Sequence, residues 1–255
     1  MAEQFANVDT VYQTVLALAN KEQRGYITPQ EFNLFARQAQ MEIFEQYFYD
    51  LNQIKRGIQG THSDFSSNLK EIVENKLSKF LKTAYLPATD QNGTSHTLPL
   101  DVYKESNVNL WSKHRGYKVQ KSNKADADVI VGSGYLTRPN FKRSIYYVMG
   151  DRLFVYPVVS SYGTIATGMP QNEGQYAVHY TYFSKPEDPN WTYLVINEKA
   201  IWYEHESTRH FALDKSEERN LVMKILQYAG VSIKQFDLVQ AAGQAEANTT
   251  AQQKQ

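Results

Sequence analysis

The chain has 255 residues, enough to bury a sizeable core as one large domain or as two lobes. Lysine plus arginine and aspartate plus glutamate both number 27, so the net charge is zero and no global field favours nucleic acid or membrane. Cysteine is absent, which excludes disulfides and thiolate metal sites.

The first third reads as helix. Val8, Val11, Tyr12, Val15, Leu18 and Ala19 keep one helical face apolar. The next stretch, NKEQRGYITPQEF (20–32), has the spacing of a calcium loop: counted from Asn20, Gly25 takes position 6, Ile27 position 8 and Glu31 position 12. The ligands disagree with the spacing. Asn20 replaces the leading aspartate, and Arg24 is a fixed cation where a carboxylate belongs. A helical hairpin accounts for the same letters: Gly25 ends one helix, and Thr28 as N-cap, Pro29 at N1 and Glu31 closing a capping box start the next. No metal is expected here.

The second predicted helix, about Pro29 to Gln53, carries two apolar stripes. One is Phe32, Ala36, Ala39, Ile43 and Tyr47; the other is Leu34, Met41, Phe44, Phe48 and Leu51. A helix apolar on two sides is sandwiched, either inside its own bundle or between that bundle and a neighbouring subunit. The second stripe is the expected subunit interface. Gly57 and Gly60 then break the chain, and a third helix is expected from about Ser63 to Tyr85 with Phe65, Leu69, Ile72, Val73, Leu77, Phe80, Leu81 and Ala84 inward.

At Pro87 the texture changes to a turn-rich linker and then to short strands from Leu98 to Phe211. RSIYYVMGDRLFVYPVV is the clearest hairpin, with Gly150-Asp151 at its turn. QYAVHYTYFS and TYLVINEKAIWYE continue the strand pattern, joined by the loop SKPEDPNW. Helix returns after Asp214 or Ser216 with Leu221, Val222, Ile225, Leu226 and Tyr228 inward and Gly230 as its stop, followed by a short extended VSIK and a weak helix from about Gln235. The expected fold is α+β: a discontinuous helical bundle built from the N- and C-terminal segments, with an inserted antiparallel β domain. The expected boundaries are 1–90 (three helices), 91–213 (β-rich), 214–247 (returning helices) and 248–255 (polar tail).

Catalytic patterns do not emerge. HESTRH (205–210) resembles a zincin helix, but its histidines are five apart and it follows a strand pattern. GSG (132–134) lacks the third glycine and the following helix of a dinucleotide fingerprint, so it reads as a turn. No catalytic residue, cofactor or metal is expected, and the chain reads as a non-enzyme. NGT, NWT and NTT match glycosylation sequons by chance, because MAEQFANVDT has no basic and apolar leader. No apolar run reaches the roughly 20 residues that span a bilayer, so no membrane partner is expected.

Two features point to contact surfaces instead. Tyrosine is abundant, with 18 Tyr beside 12 Phe and 3 Trp, and amphipathic aromatics are enriched at protein–protein contacts. WSKHRGYKVQKSNK (111–124) holds Lys113, Arg115, Lys118, Lys121 and Lys124 with no acid, interleaved with Trp111 and Tyr117. Three readings stand: a solvated hairpin edge whose lysines block strand addition, a contact with an acidic partner, or a nucleic-acid surface.

In this order, NVDTVYQTVLALANKEQRGYITPQEFNLFARQAQMEIFEQYFYDLN, LPLDVY, YYVMGDRLFVYP, YFSKPEDPNWTY and HFALDKSEERNLVMKILQYAGVSIKQFD resemble a family of tailed-phage virion proteins found in crAss-like and marine phages. Its members sit in the neck as head-to-tail adaptor or ring proteins. The resemblance implies a structural protein that forms a homo-oligomeric ring, commonly a dodecamer. It would bind below the portal protein, extend the DNA channel with non-specific DNA contact at most, and offer further tail and neck proteins a platform. The chain would be assembled in the host cytoplasm and reside in the virion. A protein of another virion layer (tail tube or capsid-associated) and a non-virion binding module are the alternatives. Gln235–Gln255 is polar and should be disordered alone; Phe236, Leu238 and Val239 form a short apolar anchor expected to dock this arm on an adjacent ring, the portal first.

Overall fold

The computed structural model describes residues 5–21, 27–58, 64–89, 93–112, 115–134, 136–157, 176–197 and 199–232. The chain divides into two units, one of Met1–Lys79 with Pro186–Gln255 and the other of Phe80–Lys185. It is an α+β fold in which the sheet-rich segment is inserted into a helical one. The observed borders lie at 79/80 and 185/186, not at 90/91 and 213/214, for a reason that each unit makes plain.

The helical unit holds α1 (Val8–Lys21), α2 (Pro29–Ile58), α3 (Asp64–Ser78) and α5 (Glu218–Ser232); α5 packs against α1 and α2, and α3 against α2. In α1 the predicted face is buried from Val8 to Ala19 except for Leu18, which is exposed. Gly57 does not break α2, which runs through it to Ile58. Entry into α2 follows the capping box: the Thr28 amide donates to Glu31 Oε2 at 2.9 Å, and the Glu31 amide donates to Thr28 Oγ1 at 3.3 Å. Asp214 caps the returning segment, its Oδ1 accepting the Ser216 amide at 3.0 Å ahead of a 3-10 turn, Lys215–Glu217, that leads into α5. α5 passes through the buried Gly230, which was expected to stop it, and Val231 and Ser232 are helical where an extended segment was expected.

The predicted third helix is too long. It ends at Ser78, and Leu81–Leu86 is a strand, β1. The spacing of Leu77, Phe80, Leu81 and Ala84 imitates a helical face only because it straddles a helix end and a strand start. Pairing over six residues with a neighbouring strand overrides that local pattern.

The inserted unit is two four-stranded sheets. The first has the order β1, β8 (Ala177–Ser184), β3 (Val102–Trp111), β4 (Gly116–Lys118); the second has the order β2 (Ser95–Thr97), β7 (Arg152–Tyr156), β6 (Ile145–Met149), β5 (Gln120–Lys121). All pairings are antiparallel except β5 with β6. Val108, Leu110, Tyr146, Leu153, Val155, Val178, Tyr180 and Tyr182 form their common core, one residue in two along each strand. The predicted hairpin is β6–β7: Met149 pairs with Arg152, and Gly150 at φ +63° takes the first central position of the turn. One element escaped the sequence reading. Asn123 caps α4 (Lys124–Gly132), accepting the Asp126 amide at 2.7 Å, and Ala127 of this helix packs on Ile145 and Tyr147.

β9 (Tyr193–Ile196) and β10 (Lys199–Trp202) form a separate two-stranded ribbon. They belong to the helical unit, which is why the second border precedes them.

Candidate interaction surfaces

The residues of the expected subunit interface do not share a surface. Leu34 is 64% exposed, whereas Phe44 is fully buried and Phe48 only 8% exposed; Met41 and Leu51 are intermediate. Helical geometry gives the correction. At about 100° per residue, Phe48 and Phe44 lie roughly 40° and 80° round from Leu34, on the side of the core. They meet edge to face at 5.2 Å and belong to the chain's own packing. The outward side of α2 carries Leu34, Met41 and the exposed Tyr49.

A polar side of α2 has a task the sequence did not reveal. Asn33 Oδ1 accepts the Trp191 amide at 2.8 Å, and Asn33 Nδ2 donates to the Trp191 carbonyl at 3.1 Å. Two turns on, the fully buried Gln40 donates to the Glu187 carbonyl at 2.7 Å and accepts the Ala212 amide at 2.8 Å. The SKPEDPNW loop is thereby fixed to the helix. Trp191 then completes an aromatic column, 4.1 Å from Tyr12 and 5.6 and 5.8 Å from Tyr193 and Trp202, with its Nε1 donating to Asp9 Oδ1 at 2.9 Å.

That column roots the β9–β10 ribbon by one face. The other face is bare. Leu194, Ile196 and Ile201, together with Tyr203 just beyond the ribbon, are between 47% and 51% exposed; Val195, on the same face as Tyr193, is 66% exposed as well. The signal was present in the sequence as the unbroken apolar run Leu194-Val195-Ile196, which a one-faced strand would interrupt with a polar residue.

The basic stretch is not one charged face. Lys113 lies outside the described residues. Lys121 is ion-paired with Glu105, and Lys124 with Asp128 at 2.9 Å, a contact that holds its ammonium above the usual lysine range. Arg115 sits at the β3–β4 turn and Lys118 on β4, both exposed, and among the described residues no carboxylate lies within 4.0 Å of either. Trp111 faces inward on its own hairpin: its ring lies over Gly116, where a Cβ would come within 3.1 Å of Cε2, and stands edge-on to His179 at 6.1 Å. Burial lowers the His179 pKa, as expected where the charged form loses water.

Nor do the histidines of HESTRH converge. His205 Nδ1 is 3.0 Å from Ser207 Oγ, while His210 Nδ1 accepts the Val8 amide at 3.3 Å at the start of α1. Among the described residues no three His, Asp or Glu side chains are grouped to hold a metal ion, and no helix is long and apolar enough to cross a membrane. Gly25 and Arg24 of the calcium-like loop lie outside the described residues, as do Phe236, Leu238 and Val239. Comparison with protein-family models and with curated proteins finds no match.

Proposed function

We propose that the chain is a structural subunit of a tailed-phage neck: a head-to-tail adaptor that assembles as a ring below the portal, extends the DNA channel and receives the tail. The bare apolar face of the β9–β10 ribbon is the observation that supports this reading most. A protein that acts alone has little reason to leave four large apolar side chains half in water on a ribbon it could have made polar. Segments that resemble the adaptor family also coincide with parts that build the fold. HFALDK contains the Ala212 amide that Gln40 accepts and the Asp214 carboxylate that Lys79 meets, and YFSKPEDPNWTY contains the loop that Asn33 and Gln40 fix.

On this reading Arg115 and Lys118 are the cations available to a neighbouring ring or to channel DNA, through phosphate alone. The Phe236, Leu238 and Val239 segment is the tether to the portal. Affinity for DNA would then be weak, independent of sequence and steeply salt-dependent. Reconstruction of a virion that contains this chain tests the proposal. Density for a ring of copies between portal and tail is expected; density in the tail tube or on the capsid, or absence of the chain from purified virions by mass spectrometry, would overturn it.

A further inference from the structure

The β9–β10 ribbon has two faces of opposite character. Tyr193 and Trp202, directly paired across the strands, sit on the Trp191 column. On the opposite face Leu194 pairs directly with Ile201, and Ile196 and Tyr203 extend the same apolar surface to either side by strand alternation. Among the described residues of the ribbon, only Lys199 interrupts it.

From this surface we infer a self-association site: the bare face of the ribbon is the seat of a second copy of the same chain. Area is the first argument. Leu194, Ile196, Ile201 and Tyr203 together leave on the order of 400 Å² in water, the size of the largest apolar patch on a typical monomer and gathered here on one face of one ribbon. That is about half of the roughly 800 Å² that each partner contributes to a standard interface. Stability is the second. A two-stranded ribbon is marginal in water, and among the described residues neither β9 nor β10 pairs with a third strand. A partner on the bare face supplies the layer that the chain itself does not.

Charge selects the partner. The chain carries 27 basic and 27 acidic side chains, so copies do not repel one another at neutral pH. A face with a single lysine offers nothing for a strongly charged partner to recognise. In a closed ring the contact is heterologous, with the ribbon of one copy against a different surface of the next. That closure rests on the ring reading above; the identity of the surface does not.

The absence of cysteine makes the test direct. Full-length chain is followed by light scattering and mass photometry over a range of concentrations, alongside Leu194→Glu and Ile201→Lys, with Leu136→Lys, an exposed position in the other unit, as control. The unaltered chain and the control should associate. The two ribbon variants should keep the same circular dichroism and thermal midpoint yet need about tenfold higher concentration, or more, to associate.

In parallel, Ile201→Cys introduces the only thiol. Its maleimide labelling should slow about tenfold or more once copies associate, since the reaction then requires local opening. A chain that stays monomeric throughout, association that both ribbon substitutions leave untouched, or an introduced thiol labelled equally fast in the associated state would each overturn the inference. Association through the ribbon that stops at two copies would sink the neck-ring reading and leave this one standing. Closed rings that ignore the ribbon substitutions would do the reverse.

Discussion

Asn33 grips the main chain of Trp191 from both sides, accepting its amide at 2.8 Å and donating to its carbonyl at 3.1 Å. One side-chain amide thus stands in for a strand partner at a residue that has none. Gln40 repeats the device further along the same helix, joining Glu187 to Ala212. The ion pairs beside them, Arg37 with Asp188 and Arg209 with Glu187, are about half exposed and contribute little.

Removing either amide therefore orphans two backbone groups at once. Gln40→Ala is expected to cost about 2–4 kcal/mol and Asn33→Ala about 1–3 kcal/mol, because each buried group left unpaired costs about 1–3 kcal/mol and Asn33 is the less buried of the two. Equilibrium urea denaturation measures both. Arg37→Ala is the control and should fall within about 0.5 kcal/mol of the parent. A Gln40 variant as stable as the control would show that water replaces the contact.

Much of the fold was legible because local signals and tertiary packing agree. The capping box at Thr28 and Glu31, the face from Val8 to Ala19 and the turn at Gly150 are encoded by neighbours in sequence. Where partners are distant, the signal was ambiguous. Leu81–Leu86 is a strand because β8, nearly a hundred residues on, pairs with it. The loop contacts of Asn33 and Gln40 span 147 to 172 residues and leave no trace in periodicity. The basic stretch looked continuous along the chain, yet Lys121 meets Glu105 sixteen residues back on another strand, and Lys124 meets Asp128 at a spacing of four that counts only because Lys124–Gly132 is helical. Of the five residues in the second α2 stripe Leu34 alone is exposed, and the ribbon face shows in the sequence only as strand texture.

Charge should separate the two halves of the α2 stripe. Leu34→Asp, at a 64% exposed position, is expected to leave stability within about 0.5 kcal/mol of the parent. Phe48→Asp buries an unpaired carboxylate beside Phe44 and should unfold the helical unit, while Phe48→Ala costs about 3–5 kcal/mol through the cavity it leaves. Circular dichroism with urea denaturation distinguishes them. A stable, folded Phe48→Asp chain would return this residue to the surface.

Calcium should leave the first helical hairpin unchanged. Glu31, the residue that would close a calcium loop, already accepts from the Thr28 amide and from Thr28 Oγ1, and the first of these hydrogen bonds is the main cause of its lowered pKa. Glu31→Ala should cost about 0.5–1 kcal/mol as a lost cap. Thermal denaturation with calcium or with a chelator should give one midpoint for the parent chain. A rise with calcium that disappears in Glu31→Ala would overturn the assignment.

Asp214 should make the helical unit acid-sensitive in a defined window. Lys79 Nζ lies 2.6 Å from its Oδ2 and the Ser216 amide 3.0 Å from its Oδ1, and these contacts, the lysine first, hold the carboxyl at about 2 against an ordinary 3.8. A folded pKa below the unfolded one means that the stabilisation is complete above about pH 4 and is lost as the pH falls towards 2. With a third of the side chain in water, about 1–2 kcal/mol is at stake after screening. Asp214→Asn keeps an acceptor for the Ser216 amide but discards the charge facing Lys79. It should therefore be less stable than the parent at pH 7 and approach it near pH 2, so the gap between their urea midpoints narrows as acid is added. A gap that stays constant from pH 7 to pH 2 would mean that the Asp214 contribution is the cap alone and that its ion pair with Lys79 adds nothing to the fold.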